Sequence, residues 1–125
     1  MKTTKEIDLI IKNEILDSPL YNLNVIQMSA AVKRDAAKLS KRLDFLKAVR
    51  DLVESNYDQK YLELTVEQLQ RKINQRWDSI CRIKKNDNYI KDGRENKEMK
   101  AAVKELDASM KAAIKYMDKI NFILA

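Results

Sequence analysis

The chain has no histidine and only one cysteine, one glycine and one proline in 125 residues. Each scarcity excludes a class of protein. Zinc sites built from Cys and His clusters cannot form, and Cys81 has no partner for an internal disulfide. A reducing compartment is therefore expected: the cytoplasm, or a virion interior if the gene is phage-borne. With Gly93 and Pro19 as the sole residues of their kinds, the many tight corners of a sandwich, barrel or doubly wound sheet have no turn chemistry to form them. A glycine-rich phosphate loop is excluded for the same reason. The first fourteen residues interrupt their apolar positions with Lys2, Lys5, Glu6, Asp8 and Lys12, so no secretory apolar region is expected there. No apolar run approaches a membrane span.

What the chain has in abundance is Lys, Glu, Leu, Ala, Arg, Gln and Met, the residues that lose least side-chain freedom in a helix. The expected fold is all-α: an elongated bundle of about four helices in a single domain spanning residues 1–125, two of them long.

Thr3 and Glu6 form a capping box that starts a first helix, which runs to Leu16 or Asp17. Ile7, Ile10, Ile11 and Ile15 share one face, while Leu9 and Leu16 lie opposite, so this helix is expected to be wedged between two neighbours. Ser18 and Pro19 end it. A second helix is expected to run unbroken from Val25 to about Ser55, with Val32, Ala36, Leu39, Leu43, Leu46, Val49 and Val53 at helical steps. Residues 56–64 read as a connection in which Tyr61, Leu62 and Leu64 could be extended. Thr65 and Gln68 then resemble a capping box for a third helix, whose apolar face carries Val66, Leu69, Ile73, Trp77, Ile80 and Cys81. Residues 86–93 have loop composition, with Asp92 and Glu95 placed to cap a last helix from Arg94 to Leu124.

That last helix has the most regular pattern in the chain. Met99, Val103, Leu106, Met110, Ala113, Met117, Ile120 and Leu124 follow at alternating steps of four and three, the a/d seam of a coiled coil. Two helices of about thirty residues would each extend roughly 45 Å, whereas a compact chain of this length has a radius of gyration near 14 Å. The seam is therefore expected to meet another copy of the chain or a protein partner, and its far end to be covered from outside.

Catalysis finds little support in the residues. Cys81 has no histidine to activate it and is read as a buried, inert thiol. Glu63 and Glu67 are one turn apart, a spacing common on any charged helix. The acidic stretch from Asp87 to Asp92 lacks alternate oxygen ligands for calcium. No enzyme activity, cofactor or metal is expected.

The net charge of +6 is unevenly placed. Residues 59–94 carry nine basic and five acidic side chains, whereas the flanking segments are nearly balanced. Arg71, Lys72, Arg76, Arg82, Lys84 and Lys85 fall within fifteen residues, with Asp78 the sole acid among them. On a helix, Arg71, Gln75, Arg82 and Lys85 project from one side, opposite much of the Ile73 and Trp77 face. Such a stripe could track nucleic-acid phosphates or hold a small anionic ligand such as a nucleotide, with Tyr57, Tyr61 or Tyr89 stacking on a base. It equally suits a solvated surface, and the third helix offers no exposed aromatic platform in this reading. The leading expectation is a self-associating helical interaction protein, a component of a larger assembly of the kind phages encode. Nucleic-acid binding and anion sequestration are the rivals.

Overall fold

The computed structural model describes residues 1–21 and 29–125. It is all-α, with helices α1 (Thr4–Ile11), α2 (Ala30–Glu54), α3 (Gln59–Lys84) and α4 (Lys97–Leu124). A π-helical turn, Lys12–Leu16, continues α1, and a two-residue hairpin, β1 (Ile90–Lys91) with β2 (Arg94–Glu95), joins α3 to α4. Three helices, rather than two, are long. The chain divides into two units, Met1–Gln59 with Asn121–Ala125, and Lys60–Ile120.

In the first unit the Thr3 cap forms as its residue type requires, its hydroxyl accepting from the Glu6 amide at 3.3 Å. Ile7 and Ile15 are fully buried, with Leu46 and Val49 of α2 and Ile123 in the last turn of α4. Leu9 and Leu16 remain exposed. Helix α1 thus buries one face, and the expectation that two neighbours enclose it does not hold. Two exposed ion pairs tie the segment to α2: Arg50 to Asp8 at 2.6 Å and Arg42 to Glu14 at 2.9 Å. Arg50 also reaches Glu54 at 2.7 Å, and the hydrogen bond to Asp8, followed by the charges of Asp8 and Glu54, raises its pKa above the usual arginine value. The rings of Phe45 and Phe122 meet edge to face at 5.5 Å, with the Arg42 guanidinium near both.

Helix α2 begins later than its periodicity suggests. Ser29 is extended and its hydroxyl accepts from the Val32 amide at 3.3 Å, so α2 starts at Ala30 and is not continuous through Ser29. The expected first residues, 25–28, lie outside the described residues. At its other end Asn56 takes a left-handed conformation, φ 57°, which asparagine tolerates better than most residues and which stops the helix.

In the second unit α3 starts six residues before Thr65. The Thr65 hydroxyl donates to the Tyr61 carbonyl at 2.8 Å, one turn back within the same helix, so it caps nothing. Tyr61, Leu62 and Leu64 are helical, and Leu62 is buried. Among the buried and half-buried residues of α3, Leu62, Val66, Leu69, Ile73, Arg76, Ile80 and Ile83 recur at alternating steps of four and three, with Thr65, Ser79 and Cys81 half-buried beside them. In the seam of α4, Ala113 and Ile120 are buried and Met99, Val103, Leu106, Met110 and Met117 are half-buried.

The start of α4 is also displaced. Asp92 and Gly93 both have positive φ, 55° and 75°, the Asp-Gly turn that suits a two-residue hairpin. They pair Ile90 with Glu95 and Lys91 with Arg94. The helix then begins at Lys97 under Asn96, whose side-chain oxygen accepts from the Met99 amide at 3.1 Å. Asp92 and Glu95 therefore do not cap it. The seam ends differently as well: Ile123 is the buried residue of the last turn, Leu124 is half-buried, and the Ile123 carbonyl accepts from the Lys2 amide at 2.7 Å. Within the chain, Ile123 at the far end of the seam is covered.

Candidate anion-binding groove

The basic residues of α3 do not stay together as one cluster. Arg71, Arg82 and Lys85 are exposed on the side away from the seam, with Lys72 exposed on another face. Arg82 and Lys85 border a hollow of about 370 Å³ with Asp78 and Cys81. Cys81 is a free thiol and half-buried there, not buried. Arg76 turns inward instead. It occupies a seam position, half-buried, and its Nε donates to Ser109 Oγ of α4 at 3.4 Å. The long stem of arginine lets a charged residue fill an apolar position while its head finds a polar partner.

Lys84 departs in a third direction. With Trp77 and Ile80, at steps of three and four along α3, it lines one wall of a groove of about 360 Å³. Lys100, Val103, Lys104 and Asp107 of α4 form the other wall, and Tyr89 of the connection lies at one end. Ile80 and Val103 make an apolar floor. All eight residues belong to the second unit.

Local backbone chemistry fixes the end of the groove. The Asn86 side chain accepts from the Asn88 amide at 2.9 Å, a turn motif favoured by asparagine. Tyr89 then donates its amide to the Asn86 carbonyl and accepts the Asn96 amide at its own carbonyl, both at 2.9 Å. Its backbone is thereby held between the turn after α3 and the start of α4.

Electrostatically the groove is cationic. Lys100 pairs with Glu95 at 2.7 Å, and this hydrogen bond and the Glu95 charge hold its pKa above the ordinary lysine value. Asp107 pairs with Lys111 at 2.8 Å, which partly offsets the only carboxylate in the lining. Lys84 and Lys104 form no ion pair among the described residues. Two ammonium groups are thus available to an anion beside an aromatic ring.

That ring is Trp77, and its position corrects the sequence reading. Trp77 is 55 % exposed rather than part of the core. It lies at the edge of the seam, one residue beyond the position that Arg76 fills. The basic helix therefore has the exposed aromatic that its sequence seemed to lack. Of the tyrosines considered for stacking, Tyr89 lines the groove, whereas Tyr57 and Tyr61 do not. Lys100 and Lys104 are functional candidates that sequence reasoning missed, because their charge is balanced along α4 and only the antiparallel pairing with α3 brings them to Lys84.

Among the described residues no cluster of Cys, Asp or Glu could hold a metal ion, and no helix is long and apolar enough to cross a membrane. Glu63 and Glu67 are exposed on α3, remote in sequence from the groove lining. No protein-family model, curated protein or solved structure matches the chain.

Proposed function

We propose that the protein is a non-catalytic binding module that holds nucleic acid through its second unit. The observation that carries this reading is the convergence of Lys84, Lys100 and Lys104 on one groove, with Arg71, Arg82 and Lys85 free to meet further phosphates from the outer face of α3. Phosphate oxygens accept from ammonium and guanidinium groups, and each neutralised phosphate releases condensed counterions. Binding strength should then be governed by salt.

The test is fluorescence anisotropy with a labelled oligonucleotide across a salt series. The logarithm of affinity is expected to fall linearly with the logarithm of salt, and Lys84→Glu combined with Lys104→Glu should flatten that slope while helix content stays unchanged. An absence of binding at low salt would refute the reading.

A second reading, self-association, is supported by Leu9, Leu16 and Tyr21, three large apolar or aromatic side chains left exposed in the first unit. Sedimentation at two concentrations tests it, since a mass that stays monomeric at the higher one leaves those side chains without that role.

A further inference from the structure

Phosphate contacts need only the lysines, and they leave the most costly feature of the groove unexplained. Trp77 exposes over half of a large aromatic side chain to water, although the adjacent seam position is given to an arginine. An exposed ring on a basic helix, above an apolar floor of Ile80 and Val103 and across from Tyr89, has the composition of a stacking platform. Such platforms hold bases by their π-faces while nearby cations hold the phosphate.

We infer that the groove is a subsite for one nucleotide of a single strand, its base stacked on Trp77 and its phosphate held by Lys84 and Lys104. This rests on the nucleic-acid reading above and narrows it. A volume of about 360 Å³ lies within the range of small-ligand sites, enough for a base but not for a stacked pair of strands. A duplex keeps its bases paired and stacked inside, so it can offer the lysines its phosphates but cannot offer Trp77 a free π-face. Discrimination against duplex and against base-free polyanions follows from the ring alone. Lys100 is largely neutralised by Glu95, so the phosphate falls to Lys84 and Lys104.

Trp77 is the sole tryptophan of the chain, so its own emission reports the contact. Four probes are titrated: a short oligothymidylate, the same sequence as a duplex, inorganic polyphosphate and thymidine monophosphate. The single strand is expected to quench Trp77 emission and to bind more tightly than the duplex, while polyphosphate binds with little quenching. Calorimetry on Trp77→Ala should show about tenfold or more weaker binding of the single strand, with polyphosphate affinity unchanged. Trp77→Phe should recover part of the loss. Because Trp77 is exposed, both variants should keep the wild-type helix content, and Trp77→Leu controls for lost apolar area. If the single strand and polyphosphate weaken equally in Trp77→Ala, or the duplex binds as tightly as the single strand without quenching, the stacking subsite is wrong while phosphate binding stands. If the monophosphate quenches at the same concentration as the oligonucleotide, the ligand is a free nucleotide and the strand assignment is overturned. If none of the probes binds at low salt, the nucleic-acid reading itself fails.

Discussion

Replacing Ile123 by alanine tests the last turn of α4, where the heptad pattern and the structure disagree. The pattern assigns the seam to Leu124, whereas Ile123 is only 1 % exposed and Leu124 is half-buried. Ile123→Ala removes three buried carbons, worth about 2.4 kcal/mol at ~0.8 kcal/mol per methylene. A residual cavity would raise the loss toward the upper part of the roughly 2–5 kcal/mol range for such truncations. Two effects pull it back. Alanine is the better helix former by a few tenths of a kcal/mol, and a terminal turn can settle into the space. The expected loss is about 2–3 kcal/mol. Leu124→Ala loses only the covered part of its side chain and should cost about 1 kcal/mol. Urea denaturation followed by circular dichroism measures both. If Leu124→Ala is the more damaging variant, the last turn is rotated from the position described and the Ile7, Ile15, Leu46, Val49 and Ile123 core is wrongly composed.

The early start of α3 makes Leu62, 3 % exposed, far more sensitive than Leu64, 49 % exposed: Leu62→Ala should lose about 2–4 kcal/mol and Leu64→Ala under about 0.5 kcal/mol in the same denaturation assay. Gly93→Ala should destabilise by about 1 kcal/mol through its positive φ alone, since nothing lies within 4 Å of the added methyl. Gly93→Asn should recover most of that loss, and equal losses for both would point to a steric cause instead. Oligonucleotide binding should be constant between about pH 7 and 9, because no histidine titrates in that window. The raised pKa of Lys100 means that the stabilisation from its Glu95 pair is complete below the ordinary lysine value and is lost only as pH rises through the raised one. A binding curve that breaks within that window would show a titrating group that the groove does not contain.

Helix type was legible because it depends on composition and period, which a single sequence carries. The Thr3 cap and the α4 seam could be read from local spacing, and the seam does turn inward. Boundaries failed where one local signal imitated another. Thr65 with Gln68 has the spacing of a capping box, yet a threonine inside a helix can satisfy its hydroxyl one turn back, as Thr65 does on Tyr61. Residues that could have revealed the true limits were present: Asp58 immediately before Gln59, Ser29 before Ala30, and the Asp92-Gly93 dipeptide of a hairpin. The groove was harder to read. Lys84 and Lys104 are twenty positions apart, and only the antiparallel return of α4 makes them neighbours in one lining.

Two adjacent residues of α3, Arg76 and Trp77, exchange the places that their polarity implies. Reading α3 by hydrophobicity alone puts Trp77 on the buried face and Arg76 outside, but the steps of four and three from Leu62 to Ile83 place Arg76 on the seam. A local rule broken at one position without an evident structural gain is expected where function intervenes. If Arg76 is there because the seam must turn to leave Trp77 exposed, its guanidinium contributes little to stability: it is half-buried, and its hydrogen bond to Ser109 is long at 3.4 Å. Arg76→Met keeps most of the apolar stem and removes the cost of desolvating the charge, so it should be neutral or stabilising by up to about 1 kcal/mol. For a chain of this size that is a rise in melting temperature of roughly 3–6 °C at most. Trp77 should remain exposed, as read by its quenching by acrylamide. A loss of more than about 1 kcal/mol would make Arg76 a structural requirement of the α3 and α4 pairing, and the exposure of Trp77 would then be a by-product of that requirement rather than a feature retained for binding.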